Sequence, residues 1–267
     1  MKDFKRFSGI VLFCLAWGVA RATSPLGRKQ LLLVSDGEMD QMGAQAFQQL
    51  KTTQKADQDP ATKNYIQCIV GPLTQAARHQ TSVEKWDVVV FEEKSANAFA
   101  LPGGKIGVHT GILKVAKTPD QLAAVLGHEI GHVIARHGAE RVSQETSAQL
   151  GMAVLGSITP NNPNKNLLMG LIGVGTQVGV LLPFSRTQES EADLIGLDLM
   201  ARAGFDPRES VALWKNMISA TGGAGPPQWL STHPASENRI QDLQAHMSGA
   251  LTQYEAARAS GHAPACR

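Results

Sequence analysis

The sequence predicts an α+β domain that is mostly helical, with a small β-sheet beside one buried helix. Three observations favour this class. Apolar residues recur at helical spacing along most of the chain, the strand-like segments are few and short, and residues 118–137 combine an apolar run with helix start and stop signals. Aromatic residues make up only 5% of the chain. Such a composition suits helices that pack closely through small side chains.

The first half of the chain is predicted to contain two helices and three short strands. Capping signals open the helices, and short apolar runs beside turn residues indicate the strands. A Pro-Gly-Gly turn joins the second and third strands into a hairpin. The helices begin with the Ser35–Glu38 capping box and with Pro60, and the strands cover residues 88–91, 97–100 and 105–109.

The second half is predicted to be helical, with loops rich in Pro, Asn and Gly. The predicted helices cover residues 118–137, 140–156, 186–202, 206–220 and 235–248, with loops at 159–166 and 222–227. The chain beyond Gly249 has a weak pattern, so we expect a loosely ordered tail. The predicted domain organisation is an N-terminal segment at 1–22, one domain at 23–250 and a C-terminal tail at 251–267.

Residues 128–132 read His-Glu-Ile-Gly-His inside the helix predicted over 118–137. On a helix His128 and His132 leave the same face one turn apart, about 40° around the axis. Two neutral imidazoles placed in this way can share one zinc ion, and Glu129 then lies beside the metal, where it can take a proton from water. The alternative interpretation is an ordinary buried helix with two core histidines.

A catalytic zinc ion usually takes three protein ligands and keeps one position for water or substrate. Glu189 and Asp193 lie four residues apart on one face of the next predicted helix, so we assign Glu189 as the third ligand. Asp193 would accept the free N–H of a ligand histidine. Glu191 lies about 200° around from Glu189 and is expected to point away and to matter little. The alternative is a solvated acidic helix start, which the helix dipole also favours.

Four motifs occur in a fixed order between about residues 60 and 245. They are the strand–turn segment 97–113, the HEIGH helix, Ser185-Arg186 leading into 189–196, and Ser231-Thr-His233-Pro234 followed by Arg239. Together they resemble the HtpX/CAAX-prenyl-protease-like zinc metallopeptidases. The resemblance implies a gluzincin domain with one Zn²⁺ per chain on His128, His132 and Glu189, and Glu129 as catalytic base. Within that family the chain is most similar to the soluble periplasmic branch of the BepA and LoiP type.

His233 and Arg239 belong to the last of these motifs and are expected to act as a latch or to line the cleft. His233 precedes Pro234, which holds its backbone extended, and the matching segment of BepA-like relatives reaches the zinc. A fourth ligand would displace the water and hold the enzyme inactive. Alternatively, His233 steadies the substrate without binding metal, or lies on the surface. His137, about 140° from the zinc face of a continuous helix, is expected to be a helix C-terminal cation.

The N-terminus has the layout of a cleaved secretory signal. Basic residues precede an apolar run over 10–19, and small residues at Ala20 and Ala22 would suit cleavage before Thr23. We therefore expect a periplasmic protein, with outer-membrane association as a further expectation. A lipoprotein modified at Cys14 and an uncleaved anchor are the alternatives. The uncharged residues 167–182 are expected to form a buried or interfacial helix, or to make peripheral membrane contact; a transmembrane span is the further alternative.

Cysteine usage agrees with export. Once the signal is removed, Cys68 and Cys266 form an even pair in an oxidising compartment, and the pair can close a disulfide that ties down the tail. The alternative is one buried helix thiol and one unpaired tail thiol.

The sequence thus predicts a zinc endopeptidase that degrades misfolded or unassembled envelope proteins in the periplasm. Its partners would be unfolded or misassembled polypeptides, bound along the sheet edge near 97–108, and the outer-membrane assembly machinery. The alternative is a chaperone for outer-membrane proteins whose peptidase is mostly silent. A net charge of +2 with 18% charged residues indicates no basic patch, so nucleic acid is not an expected partner.

Overall fold

The computed structural model describes residues 21–158, 184–219, 228–234 and 237–267. Nearly all of the predicted signal peptide lies outside the described residues. So do the uncharged segment 167–182 and the loops predicted at 159–166 and 222–227. None of the helices in the described part of the chain combines the length and apolarity that a membrane crossing requires.

The described chain is mostly helical with small sheets, which confirms the predicted class. The helices are α1 (Asp36–Thr53), α2 (Pro60–Ala77), α3 (Pro119–Ile134), α4 (His137–Ile158), α5 (Arg186–Arg202), α6 (Arg208–Ser219), α7 (Trp229–Thr232) and α8 (Glu237–Ala259). The strands are β1 (Arg21–Thr23), β2 (Lys29–Leu31), β3 (Asp87–Phe91), β4 (Ala98–Leu101) and β5 (Lys105–His109), and a short 3₁₀-helix (Thr110–Lys114) follows β5.

The main sheet has three strands in the order β3-β5-β4. The predicted hairpin is β4 antiparallel to β5, and β3 runs parallel to β5 on its other side. β4 is therefore an outer strand, whose backbone groups on one side have no partner within this sheet. A separate hairpin of β1 and β2, absent from the sequence prediction, precedes α1. Strand β1 includes Arg21 and Ala22, which the sequence assigned to the signal peptide, so cleavage before Thr23 would remove two of its three residues.

Helix α3 lies at the centre of the domain and is buried along nearly its whole length. It packs against α5, α2, α6 and β4. Its start agrees with the sequence, because the Thr118 side chain accepts the Gln121 N–H and Pro119 occupies the first turn. Apolar side chains from all these elements form one core, among them Ile66, Leu73, Ile106, Leu122, Leu126, Leu199 and Met200.

Helices α3 and α5 approach so closely that side chains larger than hydrogen would not fit between them. A Cβ added at Gly196 of α5 would lie 2.7 Å from the backbone N of His128. A Cβ added at Gly131 of α3 would lie 2.8 Å from the carbonyl O of Ala192. The glycine inside the HEIGH sequence is thus required by packing, since the two backbones meet there.

Two predicted boundaries are wrong. The central helix ends at Ile134, not at His137, because Arg136 takes a left-handed conformation with φ 56° and α4 begins at the next residue. The last helix continues to Ala259 instead of ending near residue 248, so residues 250–259 are not a loosely ordered tail. Its buried positions include the small residues Ala250 and Ala257, whose apolar signal in the sequence is weak.

The end of the chain is anchored at two points. The sulfurs of Cys68 in α2 and Cys266 are joined in a disulfide, the pairing that the cysteine count predicts. The carbonyl of His262 packs against Gly204, where a Cβ would lie 2.0 Å from the carbonyl oxygen. The final residues therefore lie against the same side of the domain as α2 and the end of α5.

We predict that Gly196→Ala destabilises the folded protein by about 1–3 kcal/mol, because the added methyl group must push α5 away from α3. Chemical denaturation of the variant and the wild type measures this loss. The matched control is Gly249→Ala, which adds the same methyl group to α8 at a position with no atom within 4 Å. It should leave the stability unchanged or raise it by up to about 1 kcal/mol. Equal stability of the two variants would contradict the packing argument.

Candidate metal centre

Four buried side chains converge at one point of the domain. His128 and His132 come from α3, Glu189 from the first turn of α5, and His233 from the residue after α7. Each offers one ligand atom, and these atoms all lie within 4.8 Å of one another. The structure thus brings together the three ligands predicted from the residues and the candidate latch.

The spacing of these atoms suits a zinc ion. The distances are 3.0 Å from His128 Nε2 to His132 Nε2, 3.1 Å from His128 Nε2 to His233 Nδ1, 3.0 Å from His233 Nδ1 to Glu189 Oε1 and 3.4 Å from His132 Nε2 to Glu189 Oε1. Tetrahedral zinc with bonds of about 2.0–2.1 Å places its ligand atoms roughly 3.3 Å apart. The donor set, three imidazoles and a carboxylate, is also one that zinc prefers.

Asp193 and Arg239 lie directly behind the ligands. Asp193 Oδ1 is 2.9 Å from His128 Nδ1, and the Arg239 guanidinium donates to both Asp193 oxygens at 2.6 and 2.7 Å. A further guanidinium nitrogen lies 2.6 Å from Glu189 Oε2. Arg239 is not among the side chains that line the groove beside the metal centre, which differs from the expectation of a cleft residue, and a part in the latch stays a prediction. Arg239 is buried, and its Cζ lies 3.9 Å from the centre of the Trp214 ring. Its guanidinium holds the carboxylates of Glu189 and Asp193 in place.

Glu129 is held by a residue that the sequence did not single out. The Trp229 indole N–H donates to Glu129 Oε1 at 2.7 Å, and His233 Nε2 lies 3.4 Å from the same oxygen. The Trp229 ring also stacks on His233, with 4.8 Å between ring centroids. A tryptophan four residues before His233 was the signal available in the sequence, because a helical turn at that point places both side chains on one face.

The buried charges are set by their neighbours. Burial lowers the pKa of His132 well below its ordinary value, which keeps this imidazole in the neutral form that binds metals. Burial alone would raise the pKa of Glu189, but its contacts with the His132, His233 and His128 imidazoles outweigh burial and lower the pKa. Burial likewise opposes ionisation of Asp193, and the Arg239 guanidinium lowers the pKa of that carboxyl below its usual range. Both carboxylates are thus ionised at neutral pH.

The metal centre opens on a groove of about 900 Å³. Helix α1 forms one wall and strand β4 another, while Glu129, His132 and His233 line it at the metal centre. An extended peptide lying in this groove would pass along an outer strand of the sheet and beside Glu129.

Two residues expected to lie outside the site belong to it. His137 is fully buried, with Nδ1 2.9 Å from His132 Nδ1 and Nε2 3.1 Å from Glu191 Oε2. The prediction of a helix-terminal cation is wrong because α3 ends before His137, so the angle of a continuous helix does not apply. Glu191 does point away from the ligands, as expected, but it is buried and paired with His137 instead of lying exposed at a helix start.

Comparison with known proteins agrees with this geometry. The sequence model of the family described as "Peptidase family M48" matches residues 60–247. The "Mitochondrial metalloendopeptidase OMA1" of Schizosaccharomyces pombe is 39% identical over 173 residues, 64% of this chain and 49% of the relative. The "Metalloendopeptidase OMA1, mitochondrial" of Danio rerio is 35% identical over 85% of this chain and 50% of its own length. The "Beta-barrel assembly-enhancing protease" of Escherichia coli K12 is 32% identical over 79% of this chain and 44% of its own.

These alignments span half or less of each of the three relatives. Two of these relatives are mitochondrial proteins and one is bacterial. The resemblance to the HtpX/CAAX-prenyl-protease-like peptidases is confirmed at the level of the family, whose peptidases are zinc-dependent.

We predict that Glu189→Gln weakens zinc binding by more than about tenfold, because it removes an anionic ligand atom. Glu129→Gln should retain about one zinc per chain, because Glu129 is not among the four residues whose ligand atoms converge. Its Oε1 instead accepts a hydrogen bond from Trp229. Metal analysis of both variants after dialysis against a weak chelator measures the difference. Equal metal loss from the two variants would show that the ligand assignment is wrong.

Proposed function

Because the chain belongs to peptidase family M48, we propose that it is a zinc-dependent endopeptidase that cuts misfolded or unassembled polypeptides. His128, His132 and Glu189 would hold the metal. The observation that carries the proposal is the convergence of these buried ligand atoms beside Glu129 at the wall of the groove. A structural ion would be enclosed by its ligands, whereas this centre faces a space large enough for a peptide.

Zinc, when bound, supplies the Lewis acidity that polarises a peptide carbonyl and acidifies water. Glu129 then acts as the base. The Trp229 indole fixes Oε1, so we assign proton transfer to Oε2: this oxygen takes the proton of the attacking water and passes it to the leaving amine. His128 would donate its Nδ1–H to Asp193. This hydrogen bond orients the ring and leaves His128 Nε2 as the atom that would bind the metal.

Substrate would be held mainly by its backbone. Strand β4 is an outer strand that lines the groove, so an extended peptide can add to the sheet there through main-chain hydrogen bonds. Such binding accepts many side chains, which suits an enzyme that removes misfolded proteins of unrelated sequence.

We further propose that His233 keeps the resting enzyme inactive. Its Nδ1 lies among the ligand atoms, and its Nε2 lies 3.4 Å from Glu129 Oε1. While His233 stays there, one side chain covers both the open metal position and the base. Its segment is docked by two backbone bonds, from Trp229 N–H to Ala96 and from Phe184 N–H to Thr232. A peptide that displaced this segment would uncover the metal and Glu129 together.

The setting of this activity is proposed to be the periplasm. The signal-like pattern of the first 22 residues and the Cys68–Cys266 pair support export to an oxidising compartment. The name of the Escherichia coli relative associates that protein with β-barrel assembly. On this basis we propose unassembled envelope proteins as substrates and the outer-membrane assembly machinery as a partner.

The proposed activity predicts that the zinc-loaded protein cleaves a permanently unfolded polypeptide and that Glu129→Gln lowers the rate by about 10² or more at unchanged zinc content. Chelation should stop cleavage and added zinc should restore it. Gel-based cleavage assays with parallel metal analysis test this. If neither protein cleaves and both prevent aggregation of the substrate equally, the protein is a chaperone and the proposal is wrong.

The latch predicts that His233→Ala raises the basal rate of cleavage while zinc stays near one per chain, because three ligands remain and the water position opens. The control is His246→Ala, which removes an exposed histidine from α8 and should change neither quantity. A loss of activity in His233→Ala with normal zinc content would show instead that His233 assists the substrate or the oxyanion.

A further inference from the structure

We propose that His137 is a positioning residue of the metal centre, and that Arg28 of the N-terminal hairpin holds it in place through Glu191. This inference deepens the proposed function and rests on His132 being a zinc ligand. It assigns a role to a buried histidine that takes no part in proton transfer or metal binding, and to a hairpin that lies outside the part of the chain matched by the family model.

Metal binding by His132 would fix which atom donates in each hydrogen bond between His132, His137 and Glu191. If His132 binds metal through Nε2, its Nδ1 carries a hydrogen and must donate. The atom facing it at 2.9 Å is His137 Nδ1, which must therefore be an unprotonated acceptor. The His137 hydrogen then lies on Nε2, which faces Glu191 Oε2 at 3.1 Å and donates to it. His137 is thus a neutral bridge between a ligand histidine and a buried carboxylate.

Arg28 fixes the far end of this chain. Its Nε donates to Glu191 Oε2 at 2.9 Å, and its two terminal nitrogens donate to the two oxygens of Glu140 at 2.6 Å each. Gln188 also donates to Glu140, at 2.8 Å. One guanidinium therefore ties two carboxylates, from α4 and α5, into a single unit. Without it, these two carboxylates would face each other without a cation.

The other ligand histidine, His128, is oriented by a similar set of contacts. His128 donates to Asp193, and Arg239 holds Asp193 by two hydrogen bonds. Each ligand histidine is thus oriented by a carboxylate that an arginine fixes, directly for His128 and through His137 for His132. Such partners set the tautomer and ring orientation of metal-bound imidazoles.

The backbone is shaped to place His137 there. Arg136 has φ 56°, a left-handed conformation that is costly for a residue with a side chain. This break lets α4 begin with His137 turned back towards His132. The hairpin reaches the same junction through Gln30, which donates to the carbonyl of Ala135 at 2.7 Å. The helix break at Arg136 and the hydrogen bond from Gln30 to Ala135 therefore both fix the backbone just before His137.

The test compares zinc affinity in four full-length variants, measured by competition with a chromophoric chelator. His137→Leu, which can neither accept nor donate, should bind zinc about 10- to 100-fold more weakly than the wild type. His137→Gln should recover most of the affinity, because an amide can accept from His132 and donate to Glu191. Arg28→Gln should weaken zinc binding in the same direction. The matched control is Arg202→Gln, which breaks a partly exposed arginine pair with Asp198 at the far end of α5.

Two further measurements separate positioning from a general loss of structure. The visible absorption of Co²⁺ bound in place of zinc reports the ligand geometry, and should change in His137→Leu but not in Arg202→Gln. Thermal unfolding of the metal-free proteins reports stability alone. If His137→Leu does not fold, Arg28→Gln decides: weaker zinc binding than Arg202→Gln supports the inference, and equal binding overturns it.

The results that would refute this inference differ from those that would refute the proposed function. If the wild type binds zinc and His137→Leu binds it as tightly, the inference is wrong while the proposed function stands. If His137→Leu and His137→Gln lose affinity equally and only in proportion to their loss of thermal stability, His137 is structural and the inference is again wrong. If the wild type itself binds no zinc, the proposed function fails and the inference fails with it.

Discussion

The close crossing of helices α3 and α5 is the constraint on which the rest of the structure depends. Gly131 and Gly196 leave no side chain between the two backbones, and the helices touch at the level of His128. Because of this contact, candidate ligand atoms from residues about sixty positions apart in the chain converge to within 4.8 Å of one another. A methyl group added at the crossing would push α5, which carries Glu189, away from α3, which carries the two histidines. The spacing between the histidines of α3 and Glu189 of α5 therefore depends on this backbone contact.

Burial of so many charges next to one another requires compensation. Four carboxylates, from Glu140, Glu189, Glu191 and Asp193, are almost inaccessible to water, and two arginines hold them in pairs. Breaking such a pair leaves an uncompensated buried charge, which costs about 3–5 kcal/mol. The arginines thus have two effects. They make the acidic cluster compatible with a folded core, and they restrict each carboxylate to one position, which in turn restricts the histidines bonded to it.

Much of the fold and part of the site were predictable from local pattern. The capping signals at Ser35, Pro60 and Thr118 located helix starts because capping depends only on residues within one turn. The hairpin β4–β5 followed from its Pro-Gly-Gly turn. The β1–β2 hairpin was missed because its strands are three residues long and carry no alternating apolar pattern. The length of α8 was missed because its buried face includes alanines and an arginine, which have little apolar contrast.

The sequence by itself determined which residues share a helix face: His128 with His132, and Glu189 with Asp193. That information is local, since the period of a helix fixes the direction of side chains three or four residues apart. Only the tertiary structure decided what meets those faces. Trp229 reaches the centre from the short helix α7, Arg239 from α8, and His137 from the start of α4 after the helix break at Arg136. No short-range period specifies these approaches, because they result from how whole elements pack around the α3–α5 crossing.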